Sequence, residues 1–443
     1  MAGRKPGRLA LFAIFAALLS YGTYKFTEPG GGLPTHVAYL TRIMRQARCE
    51  PLAAAPLGSP SALSACLSFN GDTRRELLEW LAFHRLQGVT RFDVFWDVIG
   101  AYNATRHAAF LDELQPLLSK SGGDVHVWSK ADFGPLKDQI AAAAGFARAE
   151  RSTACAPTAA DVEVLSKQVR TCISPDSALA GTWGCQDAMG AICLAAAKVR
   201  GDEWLGLFDV DEYFFSPGRP RHEDECLWGG APGRGPGFHS TAVECSVPIS
   251  EAPLLTGRDL VTTLRRFSLL YSSIVVEGVV FGMAENYTRE GLVLQSHVRA
   301  ALIDASGRLS PPLGYTRDTC PDWFCRLMTP KKSFLRVIHA PLSGLRIHHH
   351  DSGPFTVERP APGALLRLNH YAFDDLAAVV RRGSRPTYYD GVNHYTPLLE
   401  NRGGMADFTK AAQDESGRAL VPLLEHCMKP LNRDRAECRP GNF

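Results

Sequence analysis

Leu77, Leu78, Leu81 and Leu86 recur at helical spacing, and Thr73-Arg74-Arg75-Glu76 ahead of them has the spacing of a capping box. The stripe stops at Gly88, a residue suited to the turn after a helix. Arg91-Phe92-Asp93-Val94-Phe95-Trp96-Asp97 follows with apolar residues on both faces, as in a strand of a buried sheet. The pattern then predicts a helix over 110–119, a strand over 124–128 and a helix over 139–149. Residues 151–182 carry no clear period and read as including an insertion. The Ala-rich stretch 186–199 predicts a helix ending at Gly201. Trp204-Leu205-Gly206-Leu207-Phe208 is an apolar strand that runs into Asp209-Val210-Asp211-Glu212. This alternation implies an α/β fold with a mostly parallel sheet flanked by helices, whose ligands bind beyond the carboxyl ends of the strands. From about residue 238 short strands mix with Gly/Pro-rich loops, 220–237 reads as a mobile loop, and no internal repeat is present.

The N-terminus changes the compartment. Arg4, Lys5 and Arg8 precede an apolar run that begins at Leu9 and continues weakly to Phe26. That length could span a thin membrane, and the leading positive charge favours a cytoplasmic N-terminus. The expected organisation is a cytoplasmic tail over 1–8, a signal anchor over 9–26, a Gly/Pro- and Ala/Pro-rich stem over 27–64, a catalytic domain over 65–430 and a tail over 431–443. A cleaved signal peptide is the rival, but no good cleavage site follows the run. The expected address is a single-pass type II protein of the Golgi or endoplasmic reticulum, with its bulk in the lumen. The sequons at Asn103 and Asn286 agree with that address. Twelve cysteines among 443 residues suit an oxidising compartment, and their spacings match no zinc pattern. Cys185 and Cys193, about 12 Å apart along one helix, are too distant to bridge each other. The loops Cys320–Cys325 and Cys427–Cys438 could close. A formal charge of +2 offers no field for nucleic acid.

Candidate chemistry centres on the acidic run. On extended backbone Asp209 and Asp211 share a face, and two adjacent carboxylates repel unless a cation sits between them. Hard divalent ions take such oxygen ligands and leave positions open for phosphate, so a departing diphosphate would find its growing charge neutralised there. A plain solvated turn is the competing reading, set against apolar chain on both sides of the acids.

Three blocks of residues resemble the glycosyltransferase family 92 proteins, which have a GT-A-type fold. Cys66, Asn70, Glu79-Trp80, His84, Gly88-Val89 and Trp96-Asp97 form the first. Gln186, Cys193, Trp204 and Asp209-Val210-Asp211-Glu212-Tyr213 form the second. Phe281-Gly282, Lys332, His348, Asn369-His370-Tyr371 and Arg382-Gly383 form the third. The resemblance implies an inverting transfer from a nucleotide-sugar donor such as a UDP-sugar to a glycan acceptor, with Mn2+ or Mg2+ as cofactor. It implies Asp97 near the nucleotide, Asp209 and Asp211 facing metal and diphosphate, and a downstream histidine, taken as His348, completing the metal shell. Lys332 could meet phosphate oxygens, and Glu212, His370 and Tyr371 could border the acceptor. The general base is sought in Glu285 and Asp374.

His348-His349-His350 cannot all ligate one ion, because consecutive strand residues alternate faces. No nucleophile elbow, phosphate loop or zincin helix is present. The alternative from another class is a catalytically silent, membrane-anchored carbohydrate-binding protein of the same fold. A metal-dependent hydrolase would ask for separated carboxylates or a two-metal cluster.

Overall fold

The computed structural model describes residues 57–69, 74–96, 124–149, 156–174, 183–215, 260–265, 272–282, 331–343, 366–371 and 421–428, with short pieces within 105–114 and at 292, 299–300, 345, 358–360 and 412–413. Strand β1 (Leu63–Phe69) leads to helix α1 (Arg74–Leu86) and strand β2 (Arg91–Trp96). Gly88, between them, has φ 96°, a conformation that glycine adopts without strain. Strand β3 (Val125–Trp128) precedes helices α2 (Phe133–Ala149), α3 (Ala159–Ile173) and α4 (Trp183–Arg200). Strands β4 (Trp204–Asp209) and β5 (Glu212–Phe215) are separated by Val210 and Asp211 alone. Later elements are helix α5 (Leu260–Leu264), strands β6 (Ser273–Gly282), β7 (Arg299–Ala300), β8 (Lys331–Arg336), β9 (Glu358–Pro360), β10 (Arg367–His370) and β11 (Ala412–Gln413), and helix α6 (Val421–Met428).

The central sheet has the order β3-β2-β1-β4-β8-β6. Its first four strands are parallel, and β8 runs antiparallel to both β4 and β6. The expected mixed α/β architecture, a mostly parallel sheet with flanking helices, is thus present. From β1 the chain builds outward to β2 and β3, and then returns to place β4 on the other flank of β1. Neighbouring parallel strands whose connections leave in opposite directions open a crevice at their carboxyl ends, which in such folds receives ligands. The far half of β6 pairs with β10, and β10 pairs antiparallel with β5, so the segment after β4 is folded against the sheet.

Side-chain alternation divides the core into two layers. Leu63, Ala65, Leu67 and Phe69 of β1 join Phe92, Val94, Trp204, Phe208 and Phe334 on the face covered by α1. Cys66, Phe95, Leu205, Leu207 and Leu335 join the inner sides of α2, α3 and α4. Helix α4 is buried on nearly every side, and its alanines allow neighbours to approach closely. Two disulfides fix it: Cys66–Cys193 ties it to β1, and Cys172–Cys185 ties its first turn to the end of α3. Cys185 and Cys193 accordingly bond elsewhere, as their helical spacing required. Cys427 is also disulfide-bonded; Cys320, Cys325 and Cys438 lie outside the described residues.

At the opposite end of the strands, charges alternate in a buried chain. Arg91 and Arg200 both bond Asp93, and Arg200 also bonds Asp202 at 2.7 Å. Asp202 further accepts from the Ser61 N–H and the Ser64 hydroxyl. Burial alone would raise the Asp93 pKa, but Arg200 and Arg91 outweigh it and hold it below the usual carboxylate value. This network joins β1, β2 and α4 without leaving a buried carboxylate unmatched.

Among the described residues no helix is long and apolar enough to cross a membrane. The expected tail and anchor over 1–26, most of the stem, and the sequons at Asn103 and Asn286 lie outside those residues.

Candidate functional site

The apolar residues of β4 carry the chain through the core and deliver Asp209 at its carboxyl end, where it is the register partner of Ser68 on β1. Asp211 stands in the two-residue turn that follows, and Glu212 opens β5. The turn is held from several sides. Glu212 Oε2 accepts the Asp209 N–H at 2.9 Å, the Tyr371 N–H donates to the Asp211 carbonyl at 2.8 Å, and the Trp80 indole N–H donates to the Glu212 carbonyl at 2.9 Å.

A lysine lies within this cluster. Lys332 Nζ is 2.7 Å from Asp209 Oδ2 and 3.1 Å from Glu212 Oε2, and its side chain is 0% exposed. Burial would lower its pKa, but Asp209 and then Glu212 outweigh that and carry it upward, so the ammonium stays charged. Burial pushes the Glu212 carboxyl up to about 7, with Lys332 pulling against it and Asp209 adding to the rise. The side chains of Asp209 and Asp211 keep 24% and 14% exposure. His370 Nε2 is 3.6 Å from Asp211 Oδ2, and the β5–β10 ladder sets His370 opposite Glu212 and Asn369 opposite Tyr213. Asn369 Nδ2 donates to the Tyr371 hydroxyl at 3.2 Å.

Beneath the cluster is an aromatic floor. His84 is fully buried among Trp80, Phe83, Phe208, Tyr213 and Phe214. Its Nδ1–H donates to the Trp80 carbonyl, and its Nε2 accepts the Phe214 N–H at 3.3 Å. Burial lowers its pKa to about 3, against the opposing pull of the Trp80 carbonyl, so the ring is neutral and acts as a fixed crosslink between α1 and β5.

The fold therefore brings together six of the residues singled out from sequence: Asp209, Asp211, Glu212, Lys332, His370 and Tyr371. Asp97, Glu285, His348 and Asp374 lie outside the described residues. Two features refine the sequence picture. The cation beside Asp209 is the Lys332 ammonium, so the acids do not depend on a metal to coexist. Lys332 is turned to the carboxylates beneath the surface, whereas Lys331 is exposed. The Lys332–Glu212 contact escaped sequence reasoning, though a signal existed: Lys332 has the strand parity of buried Phe334, a place where a lysine needs an acid.

Carboxylate oxygens are the donor type that hard divalent cations take. Lys332 takes Oδ2 of Asp209 and Oε2 of Glu212, and no described residue donates to Oδ1 of Asp209. Among the described residues no set of three or more His, Cys, Asp or Glu is arranged to hold a metal. No family model and no curated protein matches the chain.

Proposed function

We propose that the protein is a metal-dependent glycosyltransferase that moves a sugar from a nucleotide-sugar, in the first place a UDP-sugar, to a glycan acceptor with inversion. One observation carries the reading. Asp209 and Asp211 sit at the carboxyl end of β4, next to β1 at the point where the strand order reverses, with their carboxylates partly open to solvent above a buried cation.

Asp209 and Asp211 would hold the divalent ion, with His348 as a further ligand. When bound, that ion supplies neutralisation of the charge that grows on the diphosphate. The chain's own residues do the rest of the positioning. Lys332 lies under the carboxylates, offsets part of their mutual repulsion and orients Asp209. Glu212 fixes the turn through the Asp209 N–H, and the ladder to β10 fixes Asp211 through Tyr371. Preorganised charge of this kind needs no reorganisation during reaction. Glu285 and Asp374 remain the candidate bases, and a type II anchor in the early secretory membrane with a luminal catalytic domain completes the proposal.

The Lys332–Asp209 pair also favours a second reading, because the acids are stable without a metal: a silent carbohydrate-binding protein of the same fold. Nucleotide release from a panel of UDP-sugars separates the two. Release that requires Mn2+ or Mg2+ supports the enzyme, whereas glycan binding without any turnover supports the binding protein.

A further inference from the structure

A recess of about 170 Å³ lies between β2, β3, α2 and α4. It opens on the α4 face of the sheet, whereas Lys332 has the strand parity of Phe334 on the α1 face. Its volume is close to that of a cavity that holds one six-membered ring. Leu136 and Ile192 give it apolar wall, and the rings of His126 and Trp128 line it, parallel to within 7° with centroids 5.7 Å apart. Both rings are half-buried, while Gly58 and Gln139, which also line the recess, are exposed, so it is open to solvent.

The polar wall is fixed and electrically balanced. Asp93 Oδ1 accepts from Arg91 Nη2 and the Trp128 indole N–H, and Oδ2 accepts from Arg91 Nε and Arg200 Nη2. The carboxylate is therefore saturated, and the same bonds hold the indole and the Arg91 fork in place. Arg91 and Arg200 are matched by Asp93 and Asp202, so the recess offers an anion no net charge. What it leaves for a ligand is ring surface, one guanidinium edge and one amide. Arg91 Nη1 has no acceptor among the described residues, and a Cβ on Gly58 would come within 2.6 Å of it. Glycine at this position, with φ 102°, keeps that edge uncovered. The Gln139 amide both donates and accepts.

We propose that this recess binds a single neutral pyranose, at a site separate from Asp209 and Asp211 and independent of the nucleotide-sugar reading. A pyranose is one six-membered ring with a face of C–H groups that packs on an aromatic ring. Its hydroxyls accept from the guanidinium edge and bond the amide in either sense. A plain aromatic ligand would leave both of those groups unmet. The test titrates methyl glycosides of glucose, galactose and mannose into the full chain, with indole as an aromatic control, and reads binding by saturation-transfer NMR. Wild type binds at least one glycoside with a millimolar dissociation constant. Trp128→Leu weakens that binding about tenfold and Gln139→Ala about threefold, whereas Asp211→Asn binds as wild type does. Gln139→Trp, which sets a bulky ring on an exposed rim position, blocks the recess and replaces Trp128→Leu should leucine fail to fold. Binding of indole alone, or of no compound, overturns the assignment. So does glycoside binding that the recess variants leave unchanged or that Asp211→Asn abolishes.

Discussion

Replacing Lys332 with methionine keeps most of the side-chain volume and removes one charge from the centre of the site. In the wild type that ammonium is fully buried, 2.7 Å from Asp209 and 3.1 Å from Glu212. Removing one partner of a buried ion pair costs about 3–5 kcal/mol, because the remaining charge is left without compensation. The two carboxylates can escape this cost to different degrees. Asp209 is 24% exposed and can recruit water, but Glu212 is only 2% exposed and can escape only by taking up a proton. Its carboxyl already sits near 7 with the lysine present, and losing the lysine removes the largest influence holding it down. A group whose pKa is raised on folding contributes its stability below the unfolded value and loses it as pH rises through the folded value. The variant should therefore lose about 3–5 kcal/mol at pH 8, where Glu212 is charged, and only about 1–2 kcal/mol at pH 5.5, where it is protonated. Urea unfolding followed by tryptophan fluorescence at the two pH values measures this directly. An equal loss at both, or a loss under about 1 kcal/mol at pH 8, would refute the electrostatic account of the cluster.

The two disulfides should differ in worth, because Cys66–Cys193 spans 127 residues and Cys172–Cys185 only 13; paired serine substitutions should cost about 4–5 and about 3 kcal/mol respectively in urea unfolding. His84 and Glu212 should oppose each other in acid. The lowered pKa of His84 makes stability fall as pH drops from 6.5 towards about 3, whereas the raised pKa of Glu212 makes it fall as pH rises from 4.5 to about 7. Glu212→Gln should accordingly steepen the loss of stability between pH 6.5 and 4.5, and an unchanged slope would contradict the buried, ionisable role given to Glu212. Gly206→Ala would drive a methyl into the Phe208 ring and press it against the Phe334 ring, so the rings have to shift to admit it. The expected cost is about 1–3 kcal/mol, read as a lowered urea midpoint.

Periodicity made the helix–strand alternation readable wherever one pattern dominated. The stripe ending at Gly88, strand β2 and the run from α4 into Asp209 lie within a few residues of where the pattern placed them. The misses have local causes. Helix α2 starts at Phe133 rather than near 139, because Pro135 falls in the first turn, where its missing N–H is harmless. Helix α3 occupies the stretch read as an insertion, although Thr158 and Asp161 form a capping box whose spacing was visible. Strand β1 went unpredicted since Ser64 and Ser68 interrupt its apolar residues; both are buried, Ser64 on Asp202 and Ser68 beneath Gln186. At the site, the acids were legible as a motif, but their cation was not. Lys332 comes from more than 120 residues away, and only the antiparallel register of β8 against β4 delivers it to Asp209.

We propose above that Asp209 and Asp211 jointly hold a divalent cation against a nucleotide diphosphate. Titrating Mn2+ into the purified chain with UDP present, and following the loss of the free-ion electron paramagnetic resonance signal, tests it most directly. The wild type should bind one ion per chain, and Asp211→Asn none at matched concentrations. Equal binding by the two proteins, or no binding by the wild type, would contradict it.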